Sequence, residues 1–552
     1  MWPFGEENLY ECMGETYIPL LDAIYELYQE EGIKARFTVG LTPILVEQMA
    51  DPHLQQGFVD YMDARLKAAH EDVERYSDTK NTTPHREHKL FLAQWYIEHF
   101  NKMKSHFEIK YQRNLVGAFK KLQDEGCIEI TTSGATHGFS PLLGTNESVN
   151  AQFKVGVEAY KKYFGKAPKG CWLPECAYRP SEATSGYAKA KKAPSTDAFL
   201  HENGLEYFFT EYHAIEGGAS AQARRVFGIY GNIEYIPLTP RPATGLGTYE
   251  AYWLKHYPVA VFGRNNRASF QVWSAAHGYP GDGLYREFHK KDENSGMHYW
   301  RLTSKDTDLA DKMLYDPVLA FQKTQEQADH FTNLVYHLLK DYNTATGRHG
   351  LVEISFDTEL FGHWWFEGVE WLKHLARAIH KADSIAMETG SGYLAAHQPD
   401  TAIELPESSW GQGGHYWVWQ NEHTEWMWPI IHSAEFKMKA LVETYQNSNP
   451  DTLTERCLNQ TLRELLLLES SDWPFLVTTF QAKDYAIERF EGHVSRFWAL
   501  ANMLSEGASI DEGYLSAVEA QDNPFENIDY RWFNYQPQPV ERDNVTSSTP
   551  TL

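Results

Sequence analysis

The sequence predicts an α/β protein with a separate helical region towards its C-terminal end. Segments with helical and strand-like apolar spacing alternate up to about residue 361, and from about residue 400 the pattern is mostly helical. Of the 552 residues 42% are hydrophobic, which provides for a large core. Because helices and strands alternate, we expect the strands to be parallel, in a barrel or an open sheet.

The alternation begins near the N-terminus. Apolar residues at helical spacing predict a helix over 16–31, and the segment 34–45 alternates as a buried strand does. Further helices are expected at about 89–125 and 148–164. Further strands are expected in 128–139, 171–178, 205–215, 259–263 and 351–361.

Two long excursions interrupt this alternation. Residues 49–125 are polar and helical and predict a helical insertion, whereas residues 216–310, rich in Gly, Pro and aromatic residues, predict a long loop region. We therefore expect a catalytic domain over 1–395, which contains both excursions, and a helical domain over 396–535. The polar, Pro-rich segment 536–552 is expected to be a disordered tail.

Composition restricts the class of ligand. The formal net charge of -25 argues against nucleic acid and against an anionic membrane, because both need clustered Lys and Arg. The 17 Trp, 32 Tyr and 29 Phe favour a neutral ligand with flat apolar faces, such as a sugar. Five scattered cysteines argue against a disulfide framework, and no apolar run approaches the ~20 residues that span a bilayer. We expect a cytoplasmic protein, since its start also lacks a signal-peptide pattern.

The segment CWLPECAYRP, residues 171–180, places Glu175 between two cysteines. A zinc site is not expected, because Cys171 and Cys176 have four residues between them and no second pair follows. Glu175 could cap a helix or pair with Arg179. It could also be catalytic, since it follows an apolar run at the C-terminal end of a predicted strand, where parallel barrels carry their catalytic groups.

A second carboxylate has the same setting. Asp357 follows the apolar run 354–356 and precedes bulky aromatic residues in EISFDTELFGHWWFEG. Burial among such rings would raise its pKa. Two such acids, one ionised and one protonated, are the minimal equipment for glycoside hydrolysis or transfer. The sequence has no Gly-x-Ser-x-Gly elbow, Walker loop or His-Glu-x-x-His motif that would indicate another chemistry.

Tryptophans cluster beside glycines in two further segments. Residues 411–428 contain four tryptophans, among them Trp417 and Trp419, and Trp273 lies in QVWSAAHGYPGD. Core packing is the ordinary explanation for any single tryptophan. Clusters near glycine favour a platform on which sugar rings stack.

These motifs together resemble glycoside hydrolase family 57, and within it the 1,4-α-glucan branching enzymes. The segments that carry the resemblance are CWLPECAYRP, EISFDTELFGHWW, SSWGQGGHYWVW, SGATHGFSPLL and QVWSAAHGYPGD, and the similarity runs from about residue 8 to about residue 505. The resemblance implies an incomplete (β/α)7 barrel with a helical insertion and a C-terminal helical domain that closes over the cleft. It implies no cofactor and no metal.

The implied reaction is a retaining transglycosylation on amylose or glycogen. Glu175 would be the nucleophile and Asp357 the general acid/base, about 5 Å apart as retaining enzymes require. A 6-hydroxyl of another glucan chain would then capture the glycosyl enzyme. An α-glucan hydrolase, a 4-α-glucanotransferase and a non-catalytic glucan-binding protein are the alternatives, and the oligomeric state is open.

The resemblance also implies contacts to the sugar. His137 and Asp472 would bind the sugar nearest the cleaved bond, although Asp472 before Trp-Pro could instead cap a helix. Trp273, Trp410 and either Trp419 or Trp417 would be stacking surfaces. In the segment 241–253, Tyr249, or alternatively Tyr252, would cover the acceptor side from a loop tip. A tyrosine that merely packs is the alternative there.

The sequence departs from the family pattern at its start. The family begins with a strand that ends in His-any-Pro-Tyr or His-any-Pro-Phe, whereas this chain begins with MWPFGEENLYECMGETYIPLL. The first barrel strand is therefore apparently missing, and Asn8 stands where relatives often have Trp. We expect Met1 to be an internal residue of a longer protein; a truncated chain with an open barrel seam is the alternative.

Overall fold

The structure, a computed structural model, is an α/β protein rich in helices, which confirms the predicted class. It describes residues 4–181, 193–217, 222–224, 235–237, 241–273, 278–505 and 508–536. The predicted tail lies outside these residues except for position 536. Within the described ranges no helix has the length and apolar character needed to cross a membrane.

The strands are short, as expected for segments buried inside a domain. They are β1 Phe37–Gly40, β2 Ile128–Thr131, β3 Gly170–Cys171, β4 Tyr207–Thr210, β5 Gln222–Arg224, β6 Tyr235–Pro237, β7 Ala251–Leu254, β8 Ala260–Gly263 and β9 Ala402–Ile403. β1 pairs with β2 in parallel, and a parallel bridge from Thr132 to Cys171 continues the sheet to β3. The sheet then runs β3-β4-β8-β7-β9, in which only the β7–β8 pair is antiparallel. Because β1–β2, β3–β4 and β4–β8 are parallel pairs, the C-terminal ends of these strands lie at the same edge of the sheet.

Helices surround this sheet. The α-helices are Phe4–Cys12, Ile18–Gln29, Pro43–Ala50, Pro52–Ser77, Arg86–Ser105, Leu115–Asp124, Asn146–Phe164, Thr196–Glu202, Tyr212–Glu216, Asn266–Trp273, Pro317–Thr346, Gly368–Lys381, Gly390–Ala396, Met427–Tyr445, Thr452–Leu468, Asp472–Thr479, Lys483–Met503 and Glu512–Gln521. Polar caps determine several starts: Asp51, Thr145 and Asp316 each accept a hydrogen bond from a backbone N–H of the first turn. Two single turns, Met13–Tyr17 and His106–Lys110, are π-helical.

The helical predictions agree with the structure more closely than the strand predictions do. Helices occupy Ile18–Gln29 and Asn146–Phe164, as their apolar spacing indicated. Between β1 and β2, the long helices Pro52–Ser77 and Arg86–Ser105 pack against each other. The predicted loop region 216–310 is more regular than expected, because it contains β7, β8 and a helix.

The predicted strands were too long. β3 ends at Cys171, and a 3-10 turn, Pro174–Cys176, occupies the segment that we expected to continue the strand to 178. Within 351–361 the strand-like pairings are two isolated bridges, from Glu353 to Arg264 and from Phe361 to Trp365. Apolar runs report burial, and burial continues into turns that cross the core, which explains the overestimate.

Two large apolar cores, and a small third one on β4, β7 and β8, lie in the described part of the molecule. The first joins the N-terminal helices, the inserted helices and residues 360–379. The second joins helix Asn146–Phe164 and the strands to the C-terminal helices, so the helical region shares a core with the sheet. β9 lies after the predicted boundary at residue 395 and nevertheless pairs with β7.

Candidate active site

Glu175 lies in a turn of unusual backbone conformation. In the turn Pro174–Cys176, Glu175 and Cys176 have φ angles of 58° and 53°. Non-glycine residues in this left-handed region cost on the order of 1–3 kcal/mol each, and such strain concentrates at functional sites. The backbone N–H of Trp410 donates to the carbonyl of Glu175 at 3.2 Å and helps to hold the turn. The surrounding fold thus maintains a conformation that the sequence alone would avoid.

The Glu175 carboxyl group is 8% exposed and accepts two hydrogen bonds. The indole N–H of Trp410 donates to Oε2 at 2.7 Å, and the hydroxyl of Ser471 donates to Oε1 at 3.2 Å. His137 Nδ1 lies 3.9 Å from Oε1. Burial raises the pKa of Glu175 to about 7; Trp410 opposes this shift, the charge of Asp472 adds to it and Ser471 opposes it.

Asp357 lies directly before the 3-10 turn Thr358–Leu360. Its pKa is raised to about 7, first by burial and then by the charges of Glu359 and Glu175, whereas Arg264 opposes the shift. The charge of Glu175 acts on Asp357, so the two carboxyl groups lie near enough to interact electrostatically. The structure therefore brings together the two acids that sequence analysis selected, although 182 positions separate them.

The C-terminal helical region reaches this cleft. His137 has a left-handed φ of 58°, its Nδ1 lies 2.9 Å from the Ser471 hydroxyl, and its carbonyl accepts from the Ser471 N–H at 3.1 Å. Asp472 is the first residue of helix Asp472–Thr479, whose N-cap is Ser471. The alternative that Asp472 caps this helix is therefore wrong. Burial lowers the pKa of His137, and the charge of Asp472 opposes that shift.

The tryptophans predicted to bind sugar differ in exposure. Trp410 contacts Glu175 and packs beside Trp172, with 4.9 Å between the ring centroids. Trp419 is 1% exposed and stacks on Phe139 at 4.4 Å. Trp417 is 40% exposed. Trp419 is thus buried and Trp417 lies on the surface, and which of the two stacks on sugar stays a prediction.

Trp273 lies on the Asp357 side. It is the last residue of helix Asn266–Trp273 and is half-buried. Its ring centroid lies 6.1 Å from that of Phe356 and 6.3 Å from that of Trp364, which flank the Asp357 turn. Trp273 is therefore placed beside the second acid and not beside Glu175.

The two tyrosines of segment 241–253 pack instead of projecting from a loop tip. The ring of Tyr249 stacks on Tyr342 with 5.1 Å between centroids, and its carbonyl accepts from the N–H of Leu351 at 2.9 Å. Tyr252 is buried and donates to the carbonyl of Gly247 at 2.7 Å. This packing favours the alternative of a tyrosine that merely packs, and an acceptor-side role of Tyr249 stays a prediction.

Sequence reasoning missed a charged group next to the pair. Arg264 directly follows β8, forms an ion pair with the buried Glu211, and donates to the carbonyl of Ser355 at 3.2 Å. Burial raises the pKa of Glu353, near Arg264, to about 8. The rule that selected Asp357, a charged residue directly after a predicted strand, would also have found Arg264.

No site suited to a metal is evident among the described residues. The thiols of Cys171 and Cys176 face different carbonyls, those of Trp172 and Phe209, so the cysteines do not form a pair. In the helical region, ligand atoms of Glu464, His493 and Asp522 lie within 4.8 Å of one another. The guanidinium of Arg496 forms ion pairs with both of those carboxylates, at 3.1 Å and 2.8 Å, and already supplies the positive charge.

Comparisons with known proteins agree with this geometry. The model of glycosyl hydrolase family 57 matches residues 3–406, and the model of the 1,4-alpha-glucan branching enzyme C-terminal region matches residues 430–533. A 1,4-alpha-glucan branching enzyme of Thermococcus kodakarensis is 40% identical over 536 residues, which are 96% of this chain and 75% of the relative.

Two solved structures are also similar to this chain over nearly all of its length. The crystal structure of a family 57 branching enzyme from Pyrococcus horikoshii is 39% identical, with a TM-score of 0.85 over 98% of this chain and 95% of that one. The alpha-amylase AmyC from Thermotoga maritima is 33% identical, with a TM-score of 0.79 over 98% of this chain and 96% of that one.

Proposed function

The chain belongs to glycosyl hydrolase family 57, and we propose that Glu175 and Asp357 are its catalytic pair in the formation of α-1,6 branches. It is a glycosyltransferase that acts on α-1,4-glucans as a 1,4-α-glucan branching enzyme. The 40% identity to a branching enzyme over 96% of the chain and the match to a branching-enzyme C-terminal region support this activity. Amylose and glycogen are the proposed substrates.

One observation supports the division of roles between the two acids: Glu175 accepts two side-chain hydrogen bonds, and the strongest charge effects on Asp357 come from two other acids. Trp410 and Ser471 stabilise the ionised form of Glu175, which suits a nucleophile. The charges of Glu359 and Glu175 favour the protonated form of Asp357, which suits a general acid. The pKa values of the two carboxyl groups are both raised to about 7, and what differs is the kind of neighbour that acts on each.

The reaction has two steps. Glu175 attacks the anomeric carbon while Asp357 transfers its proton to the leaving glycosidic oxygen, so an ester to Glu175 forms as the α-1,4 bond breaks. Asp357, now ionised, removes the proton from the 6-hydroxyl of an acceptor glucan, and that oxygen displaces Glu175 to form the α-1,6 bond. Retention by this route requires the two carboxyl groups to be about 5 Å apart.

Several neighbours are proposed to bind the glucan. His137 and Asp472 would contact the sugar at the cleaved bond, since both lie beside Glu175 and one comes from each part of the chain. Trp410 and Trp273, with either Trp417 or Trp419, would form the walls. The indole N–H of Trp419 faces Glu175 and lowers its pKa.

The remaining proposals concern architecture and location. The sheet order and the family match support an incomplete (β/α)7 barrel, with a C-terminal helical domain that completes the cleft through Ser471 and Asp472. The five cysteines are free and buried, which supports a reducing, cytoplasmic environment.

Incubation with amylose tests the function. The wild-type protein should create branches that a debranching enzyme releases, with few new reducing ends. Glu175→Gln and Asp357→Asn should each lose at least about 10³-fold in rate, since each removes a group that forms or breaks bonds. Wild-type activity in Glu175→Gln would show that the assigned mechanism is wrong.

The same assay separates the alternative function. The likeness to AmyC favours hydrolysis as the second candidate, in which water replaces the acceptor hydroxyl. Reducing ends that accumulate without branches would identify a hydrolase. Linear chains of altered length, without either product, would identify a 4-α-glucanotransferase.

A further inference from the structure

The loop that carries Asp357 rests on the N-terminal helices. A π-helical turn, Met13–Tyr17, connects helices Phe4–Cys12 and Ile18–Gln29. Single π-helical turns are rare in proteins. Where they occur, they are often found at functional sites, because the extra residue in the turn redirects neighbouring side chains. Here three consecutive residues of the turn contact the segment that follows Asp357.

The first two of these residues hold the far end of that segment. Thr16 Oγ1 accepts from the backbone N–H of His363 at 3.1 Å, and a Glu15 carboxylate oxygen lies 3.4 Å from His363 Nδ1. Glu15 also pairs with Arg286 at 2.7 Å. Gly362 fits against the turn with φ 116°, where an added Cβ would lie 1.9 Å from the Glu15 carbonyl oxygen. The segment that follows Asp357 therefore packs closely against the π-helical turn, and this close approach requires glycine at position 362.

The third residue holds the carboxylate nearest Asp357. The hydroxyl of Tyr17, which is 4% exposed, donates to Glu359 Oε1 at 2.5 Å. Burial raises the pKa of Tyr17 well above its usual value, so the hydroxyl keeps its proton and remains a donor. Glu359 lies within the 3-10 turn that begins after Asp357, and the Leu360 N–H donates to the Asp357 carbonyl at 3.1 Å.

We propose that Glu359, held by Tyr17, is a positioning residue for Asp357: its negative charge keeps a proton on Asp357 until the glycosidic oxygen of the glucan arrives. The inference rests on the proposed function, in which Asp357 is first an acid and then a base. A neighbouring negative charge makes Asp357 a weaker acid in the first step and a stronger base towards the acceptor hydroxyl in the second. Tyr17 and Glu359 themselves touch no reacting atom.

The charges around these groups agree in direction. After burial, Glu359 is the largest influence that raises the pKa of Asp357; Glu175 also raises it, and Arg264 lowers it. Around Glu359 itself lie the Tyr17 hydroxyl and the Cys12 thiol, and burial followed by the charge of Glu359 raises the pKa of that thiol. Of the two charges that raise the pKa of Asp357, Glu359 is thus the one with no direct part in the proposed chemistry.

The test is the pH profile of the branching rate in Glu359→Gln. Removal of the negative charge should lower the pKa of Asp357, so that the protonated acid is lost earlier as pH rises. We expect the basic limb of the kcat profile to move down by about one pH unit, while KM changes little. Glu359→Asp retains the charge and should keep the limb close to that of the wild type.

Tyr17→Phe tests the holding contact. Without the hydroxyl, Glu359 is free to turn away, so we expect a smaller shift in the same direction. Because both residues act through one contact, the double variant Tyr17→Phe/Glu359→Gln should shift no further than Glu359→Gln alone. Additive shifts would contradict the proposed order of action.

A matched control tests whether the loss of any tyrosine–glutamate contact shifts the pH profile. Tyr163→Phe removes a similar contact, from a tyrosine hydroxyl to Glu47 at 2.9 Å, in helix Asn146–Phe164, and should leave the profile unchanged. An unshifted basic limb in Glu359→Gln, or an equal shift in Glu359→Asp, would overturn the inference while the function stands. Full activity in Asp357→Asn would instead refute the proposed function.

Discussion

Glu175 and Asp357 have similarly raised pKa values, but the regions around them are built in opposite ways. Glu175 lies between parts of the chain that supply hydrogen-bond donors: Trp410 from a long loop and Ser471 from the helical region. Asp357 lies on a short turn between other acids, and an N-terminal helical turn supports that turn from behind.

The difference shows how one cleft distinguishes two similar acids. Burial acts on both, because removal from water disfavours any carboxylate. Donors then stabilise the ionised form of one acid, and neighbouring acids disfavour the ionised form of the other. In the proposed roles of nucleophile and acid/base, Glu175 depends on neighbours more than 200 positions away, whereas Asp357 depends first on Glu359, which is close in the sequence. Each of the following changes alters one side of this comparison.

The largest expected effect is on the Asp357 side. Gly362→Ala would place a Cβ 1.9 Å from the Glu15 carbonyl oxygen, at a φ of 116° that disfavours alanine. We expect destabilisation by more than about 3 kcal/mol and a displaced Asp357 turn. Thermal unfolding measures the first and branching activity the second. Gly347→Ala, also at positive φ but with open space around it, is the control and should cost much less.

On the Glu175 side, Trp410→Phe removes the donor to Oε2. A hydrogen bond to a charged group contributes about 1.5–3 kcal/mol, so the rate should fall roughly 10- to 100-fold. Since Trp410 lowers the pKa of Glu175, its loss should raise that pKa and move the acidic limb of the rate profile to higher pH. Trp426→Phe removes an indole contact to a backbone carbonyl and serves as control. An acidic limb that stays in place would contradict the donor role.

Ser471→Ala should have a smaller effect in the same direction. Its hydroxyl is 3.2 Å from Glu175 and also contacts His137, so both neighbours lose a partner. We expect a loss of about 3- to 10-fold in kcat, corresponding to about 1 kcal/mol. Ser433→Ala, whose hydroxyl donates to a carbonyl of its own helix, should retain full activity.

The last change concerns Glu469, which connects the C-terminal helical region to helix Asn146–Phe164. Glu469 accepts hydrogen bonds from Ser148 and Gln152, and burial raises its pKa to about 7 although these donors oppose the shift. A raised folded-state pKa contributes stability below pH ~4.5 that is lost as pH rises through about 7. Glu469→Gln should therefore flatten the pH dependence of the unfolding free energy between these values, by up to about 1 kcal/mol per pH unit. An unchanged slope in denaturant titrations would contradict this.

Much of the site was predictable because its signals are local. Glu175 and Asp357 each follow an apolar run, and helices such as Asn146–Phe164 have a regular apolar spacing. The strand lengths were not predictable, because an apolar run continues through buried turns such as Pro174–Cys176. The packing of Tyr249 was not predictable, because nothing beside it in the sequence indicates its stacking on Tyr342.

The sequence by itself determined the α/β class, the two acids and the family, since all three depend on residue types and their order along the chain. Only the tertiary structure decided which donors face Glu175, which charge lies beside Asp357, and that Tyr17 holds this charge in place. These contacts join residues up to 342 positions apart. No local pattern encodes them, because they depend on how the helices pack around the sheet.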